Sequence, residues 1–315
     1  MARRYTDLYE RVRMLGGAMV SPEEASWQTT IPPHVDPVPV ILHVSCNVHL
    51  TPHVYLLAQE FLRRLGVEFV VVGGPENCCG NPQHHFGEHD LGAMTTRIAF
   101  ANFRRFKPER VLTICPSCDE TFSEAFAREG FGVPVHNISR FLVERLSELR
   151  RMCMQQVGRV IALHSHAGST VYDQDRANVT RLLEIVPGVT LVPTGSAVSE
   201  QPRCNAFFPP TPAAMAAMFD EARANGVEAL VNVYHSCYRE NLRGESGWGI
   251  RVRHYLDILA EAAGIAYEEP NRQLLEMRTI GRIMQAMRPN IEARGLDAET
   301  VQRYAEPFFG AGGPK

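Results

Sequence analysis

Five cysteines in the first half of the chain carry the strongest chemical signal: Cys46, the vicinal pair Cys78-Cys79, and Cys115-Pro116-Ser117-Cys118. Thiolates are soft ligands that suit zinc or iron–sulfur clusters. A structural zinc ion takes four tetrahedral ligands, commonly from paired CxxC knuckles. Here one CxxC stands with a singleton and an adjacent pair. Vicinal side chains splay, so they fit poorly on one ion but can each reach a different iron of a cluster. Five thiolates also exceed the need of an ordinary four-iron cubane. The residue types therefore favour an iron–sulfur cluster.

Elements at regular spacing must bring these thiols together. Val40–Val44 is a short β-branched apolar run, read as a buried strand. Apolar residues at 54, 57, 58, 61, 62 and 65 share one helical face, and Gly66 stops that helix. Strands at Phe69–Val72 and Arg110–Ile114 alternate with helices over Leu91–Arg105, Glu120–Arg128 and Ser139–Met152. Such alternation indicates crossover βαβ units and a mostly parallel sheet. Cys46, Cys78-Cys79 and Cys115–Cys118 each follow a predicted strand. Loops at the carboxyl ends of parallel strands gather at one rim, so three loops deliver five thiols to one place.

The pattern then restarts with a strand at Arg159–Leu163, a helix at Asp173–Leu183, a strand at Val189–Pro193, a helix capped by Thr211-Pro212, a strand at Ala229–Val233 and a helix at Trp248–Ala263. Cys118 and Cys237 stand about 120 residues apart, which reads as an internal duplication. The expected fold class is α/β: two pseudo-symmetric domains, each with a mostly parallel sheet flanked by helices. The boundaries are an N-terminal extension over 1–37 (with a helix near Tyr5–Leu15), a complete cysteine domain over 38–155, a degenerate copy over 156–268, and a helical tail over 269–315.

With 32 Lys+Arg against 35 Asp+Glu, the net charge of -3 gives no electrostatic case for nucleic acid or an anionic membrane. No apolar stretch marks a secretory signal or a membrane span. A cytoplasmic location follows as the expectation, and with it clustered cysteines that bind metal rather than pair as disulfides.

The form Cys78-Cys79-Gly80-Asn81-Pro82, with Cys46 before it and Cys115-x-x-Cys118 after it, resembles the cysteine-rich CCG domain found in the B-type subunit of heterodisulfide reductase. Relatives of that domain occur in succinate, glycolate, lactate and anaerobic glycerol-3-phosphate oxidoreductases. The resemblance implies a noncubane [4Fe-4S] cluster held by all five cysteines. It also implies thiol/disulfide redox chemistry, a ferredoxin-like iron–sulfur subunit and a flavoprotein as partners, and an oxidoreductase active within such a complex. One complete and one degenerate motif is similar to the paralogues of that subunit in sulfur-oxidising heterodisulfide reductase-like complexes, whose sulfur substrate is thought to be carrier-bound.

In the second half Tyr234-His235-Ser236-Cys237 stands opposite Cys115–Cys118, Cys204 opposite the vicinal pair, and His164-Ser165-His166 opposite Cys46. Two cysteines cannot hold a second cluster of the family type. His164, His166, Cys204, His235 and Cys237 instead form a candidate second site, for another metal or a substrate, to be weighed against a half kept only for packing. His84, His85 and His89 follow the Cys78-Cys79 turn and are weighed as residues that tune the cluster or carry protons against the favoured reading of exposed loop histidines, and Cys153 reads as a non-ligand. Two alternatives stand beside the sulfur-redox reading: a pure electron-transfer subunit of a quinone- or flavin-linked dehydrogenase, and a zinc-binding scaffold.

Overall fold

The computed structural model describes residues 5–24, 30–199 and 209–310. In chain order it begins with α1 (Tyr5–Met19), β1 (Val40–Val44), α2 (Pro52–Arg64), β2 (Phe69–Gly73), α3 (Asn81–His85), α4 (His89–Arg105), β3 (Arg110–Thr113), α5 (Pro116–Arg128) and β4 (Val135–Asn137). There follow α6 (Ile138–Glu144), α7 (Leu146–Met152), β5 (Arg159–His164), α8 (Thr170–Leu183), β6 (Val189–Leu191), α9 (Ser196–Ser199), α10 (Pro212–Ala224) and β7 (Ala229–Asn232). The chain closes with α11 (His235–Asn241), α12 (Glu245–Trp248), β8 (Arg251–His254), α13 (Tyr255–Ala262), α14 (Pro270–Met277), α15 (Ile280–Arg294) and α16 (Ala298–Phe309).

The protein is α/β, with two four-stranded parallel sheets flanked by helices. Their strand orders are β2-β1-β3-β4 and β6-β5-β7-β8, the same winding used twice. The registers repeat as well. His43 pairs with Thr113 at the end of β1, and His164 pairs with Asn232 at the end of β5. β1 is buried along its whole length, as a central parallel strand covered on both faces must be.

Two compact units divide the chain. One comprises 1–55, 66–136 and 269–315, the other 56–65 and 137–268. In the first, the flanking segments are not appendages to the sheet. α1 packs on α15 and α16 and on the 3₁₀ turn at Cys46–Leu50. Gly16 is the point of close approach, because a Cβ there would stand 3.1 Å from the His49 Cβ. The Asn271 side chain closes the same turn, donating to the Leu50 carbonyl at 2.7 Å.

Several local expectations need correction. The helix expected over Ser139–Met152 is two helices, α6 and α7, meeting at Arg145. Asn137 caps the first by accepting from the Ser139 amide. The helix expected over Trp248–Ala263 contains the strand β8, after which His254 and Asp257 form a capping box for α13. β8 is an edge strand with Arg251 exposed and Val252–His254 buried, and its charged residues mask it in the sequence. α5 begins at Pro116 rather than near Glu120, so Cys118 lies in the first turn of a helix and not in a loop. The short β4, α3 and α11 have no counterpart among the expected elements. Among the described residues, no helix is long and apolar enough to cross a membrane.

Candidate metal centre

Three strand-to-helix connections of the first sheet carry the five cysteines. Cys46 opens the 3₁₀ turn after β1, and Cys78-Cys79 follow a turn at Pro75–Asn77 after β2. Cys115 precedes α5 as its N-cap, and Cys118 is on that helix. All five are buried and none is in a disulfide. Cys46 and Cys78 Sγ lie 3.5 Å apart, and Cys79 and Cys118 Sγ lie 3.4 Å apart. Cys78 also interacts with Cys79, and Cys118 with Cys115. The sulfurs thus form a contact series, 46–78–79–118–115, across three connections.

The vicinal pair is held by its neighbours. Asn77 donates to the Gly73 carbonyl at 3.0 Å and accepts from Asn102 at 2.8 Å, and its own carbonyl lies 2.9 Å from His43 Nε2. Thr96 donates to the Cys79 carbonyl at 2.6 Å. Gly80 then turns with φ +84°, and a Cβ there would collide with the Gly92 carbonyl and the Thr96 hydroxyl. Gly80→Ala is therefore expected to cost about 2 kcal/mol or more, from the left-handed backbone and the clash together. The denaturant midpoint of the first unit should fall accordingly.

Crowding sets the protonation of the thiols. The bonds from Cys46 and Cys79, with a further bond from the Tyr9 hydroxyl, outweigh burial and hold Cys78 well below the usual thiol range. Cys46 is pushed well up by its bond with Cys78, by burial and by the charges around it. Cys118 is pushed up by Cys115 and Cys79 and by burial. At Cys79 the Cys118 bond pulls down, but the Cys78 bond, burial and neighbouring charge outweigh it and the thiol goes up. Without a cation the pocket therefore favours one thiolate among protonated neighbours. Five ionised sulfurs this close require a multiply charged core to neutralise them.

Tyr9 is a residue that sequence reasoning missed. Its hydroxyl donates to Gln83 Oε1 at 3.0 Å and engages Cys78. Burial first, then the charges of Cys78 and Cys46, drive its own pKa up, which keeps it a donor. A helix near Tyr5–Leu15 was legible, but what it packs against was not. His43 is the other missed neighbour. It is buried at the end of β1, edge-on to Phe103 and Phe122. Burial lowers its pKa from 6.5 to about 4, against the opposing pull of the Asn77 carbonyl and Cys78. A histidine depressed in the folded state contributes stability above pH 6.5 that is lost as pH falls toward 4. The full loss amounts to about 3 kcal/mol. Denaturant midpoints from pH 7 to pH 4 should fall steeply in the natural protein and less steeply in His43→Gln.

The second unit brings together some of its candidates. Ligand atoms of His164, His166 and Cys237 lie within 4.8 Å of one another, and all three residues are buried. His235 is fully buried outside that group, with neither ring nitrogen hydrogen-bonded. Cys204 lies outside the described residues. Cys153 is buried with its thiol 3.7 Å from the Leu259 carbonyl, and burial pushes it up to about 11. His84 is half-buried on α3 with Nδ1 3.3 Å from His89 Nδ1, while His85 and His89 are exposed.

Parts of the chain resemble known proteins. Over 142 residues the chain is 25% identical to the B-type subunit of the fumarate reductase (CoM/CoB) of Methanothermobacter marburgensis, covering 45% of this chain and 28% of that protein. The chain thus aligns with little more than a quarter of that relative's length. Among solved structures, an Asp/Glu racemase-like protein of Yersinia pestis overlays with a TM-score of 0.36 at 13% identity, covering 71% of this chain and 96% of that one. The aspartate racemase homologue PH1733 of Pyrococcus horikoshii gives 0.29 at 12%, covering 72% and 99%. The segment holding all five clustered cysteines, residues 40–123, matches the family model of the cysteine-rich CCG domain.

Proposed function

We propose that this chain is the iron–sulfur subunit of a heterodisulfide reductase-like oxidoreductase, binding a noncubane four-iron cluster through Cys46, Cys78, Cys79, Cys115 and Cys118. The observation that carries this reading is the series of five buried thiols on three connections of one sheet. The donor set fits such a group: soft, five in number, and too crowded to ionise together without it. The cluster would supply one-electron redox capacity and iron sites with affinity for a thiol.

The chain's own residues would do the remaining work. The Tyr9 hydroxyl, which donates to Gln83, lies against Cys78 and places a polar group beside that sulfur, where it would tune a cluster's potential. Asn77, Thr96 and Gly80 fix the vicinal pair. α1, in contact with the Cys46 turn, helps to shield that side from water. The CCG match and the fumarate reductase (CoM/CoB) relative favour a thiol or disulfide, free or carrier-bound, as the substrate class. They favour a multi-subunit complex too, with a ferredoxin-like subunit and a flavoprotein exchanging electrons with this one.

EPR of the anaerobically purified protein, with and without added thiol, tests the reading. A signal that shifts on thiol addition supports substrate binding at the cluster. A cubane-type signal indifferent to thiols would mean that the chain only relays electrons.

A further inference from the structure

We infer that the second unit holds its own mononuclear zinc site, formed by His164, His166 and Cys237. Each ligand comes from the carboxyl end of a strand in the second sheet. His164 is the last residue of β5, His166 follows two residues later, and Cys237 lies in the first turn of α11, just after β7. Cys237 occupies the same place in α11 that Cys118 occupies in α5, third from the helix start. The fold therefore aims this thiol at the rim of its own sheet just as it aims Cys118 at the first.

The donors are arranged as zinc ligands are. His164 Nδ1 lies 2.8 Å from the Val198 carbonyl. A carbonyl only accepts, so Nδ1 carries the proton and Nε2 presents its lone pair. Such a bond from the non-ligating nitrogen is what orients metal-bound histidines. His166 Nε2 is 3.0 Å from Cys237 Sγ. A tetrahedral zinc, with Zn–S about 2.3 Å and Zn–N about 2.0–2.1 Å, holds those atoms about 3.5 Å apart. An opening of roughly half an ångström admits the ion. The His166 ring is braced by stacking on Tyr234 at 5.5 Å, and Tyr234 is itself anchored by donating to the buried Asp175 at 3.0 Å. Among the described residues the set has two imidazoles and one thiolate. Three protein donors are the count of catalytic zinc sites, whose fourth position takes water or a substrate atom. The ligand class for that position is water or an incoming thiolate.

This site shares no residue with the five-thiol centre, so either can fail alone. The test loads the anaerobic full-length protein with one equivalent of zinc chloride, desalts it, and measures bound metals and the zinc X-ray absorption edge. About one zinc per chain is expected, with one sulfur and the rest nitrogen or oxygen in its shell. His166→Ala and Cys237→Ala should each weaken zinc binding by at least about 100-fold, more than the loss of an outer-shell partner costs. Their iron content should be unchanged. His166→Cys should restore binding and show a second sulfur, which separates ligation from mere packing even if Cys237→Ala misfolds. Failure of the natural protein to retain zinc would overturn the assignment. So would an all-sulfur shell that His166→Ala leaves untouched.

Discussion

Replacing Cys79 with alanine is expected to strip the first unit of its iron, taking it from about four irons per chain to below one. Cys79 stands at the centre of the sulfur series, in contact with Cys78 on one side and Cys118 on the other. Its loss cuts the series into two pairs, neither of which can hold a four-iron core. Alanine at Cys46 or Cys115, at the ends, removes one ligand and leaves the others adjacent. A smaller loss and an altered cubane-like spectrum are expected there. Cys153→Ala is the control. That thiol is equally buried, but it faces the Leu259 carbonyl in the other unit, and iron should be retained in full. Iron analysis across the four variants reads the order directly. Equal iron in Cys79→Ala and Cys153→Ala would contradict the ligand assignment.

The largest effect on stability is expected at Asp175. This buried carboxylate accepts from the Ser139 hydroxyl at 2.9 Å and from the Tyr234 hydroxyl at 3.0 Å, tying α6, α8 and the start of α11 together. Asp175→Ala leaves two buried hydroxyls without that acceptor, each costing about 1–3 kcal/mol, so a loss of about 2–6 kcal/mol follows. Asp175→Asn keeps one acceptor oxygen and should lose roughly half as much. Denaturant unfolding of the second unit measures both. Because Tyr234 braces His166, the alanine variant should weaken zinc binding as well, while the iron centre stays intact.

Much of this architecture was legible because parallel strands are buried on both faces. Val40–Val44 and Phe69–Val72 read as apolar runs without ambiguity, and thiols placed just beyond them had to meet at one rim. β8 was not legible. Arg251, Arg253 and His254 break the apolar pattern of an edge strand whose charged tips find partners only in the fold, as when Arg253 meets Glu261 and Tyr267. α11 hid for another reason: it starts directly after β7 and lasts seven residues, too short to show a period. At the second site the residue types were visible, but the selection among them was not. His166 joins the triad with Nε2 3.0 Å from Cys237 Sγ, whereas His235, next but one to that cysteine, stays outside. The roles of Tyr9 and His43 depended on contacts about 70 and 30 residues away along the chain, which spacing alone does not encode.

The most direct measurement is the iron and acid-labile sulfide content of the natural protein purified without oxygen. The account predicts about four irons per chain, a comparable amount of sulfide, and zinc only at the level of the second-unit site. Zinc in place of iron at the five-thiol centre, with no labile sulfide, would contradict it and leave a zinc-bound scaffold instead of a redox subunit.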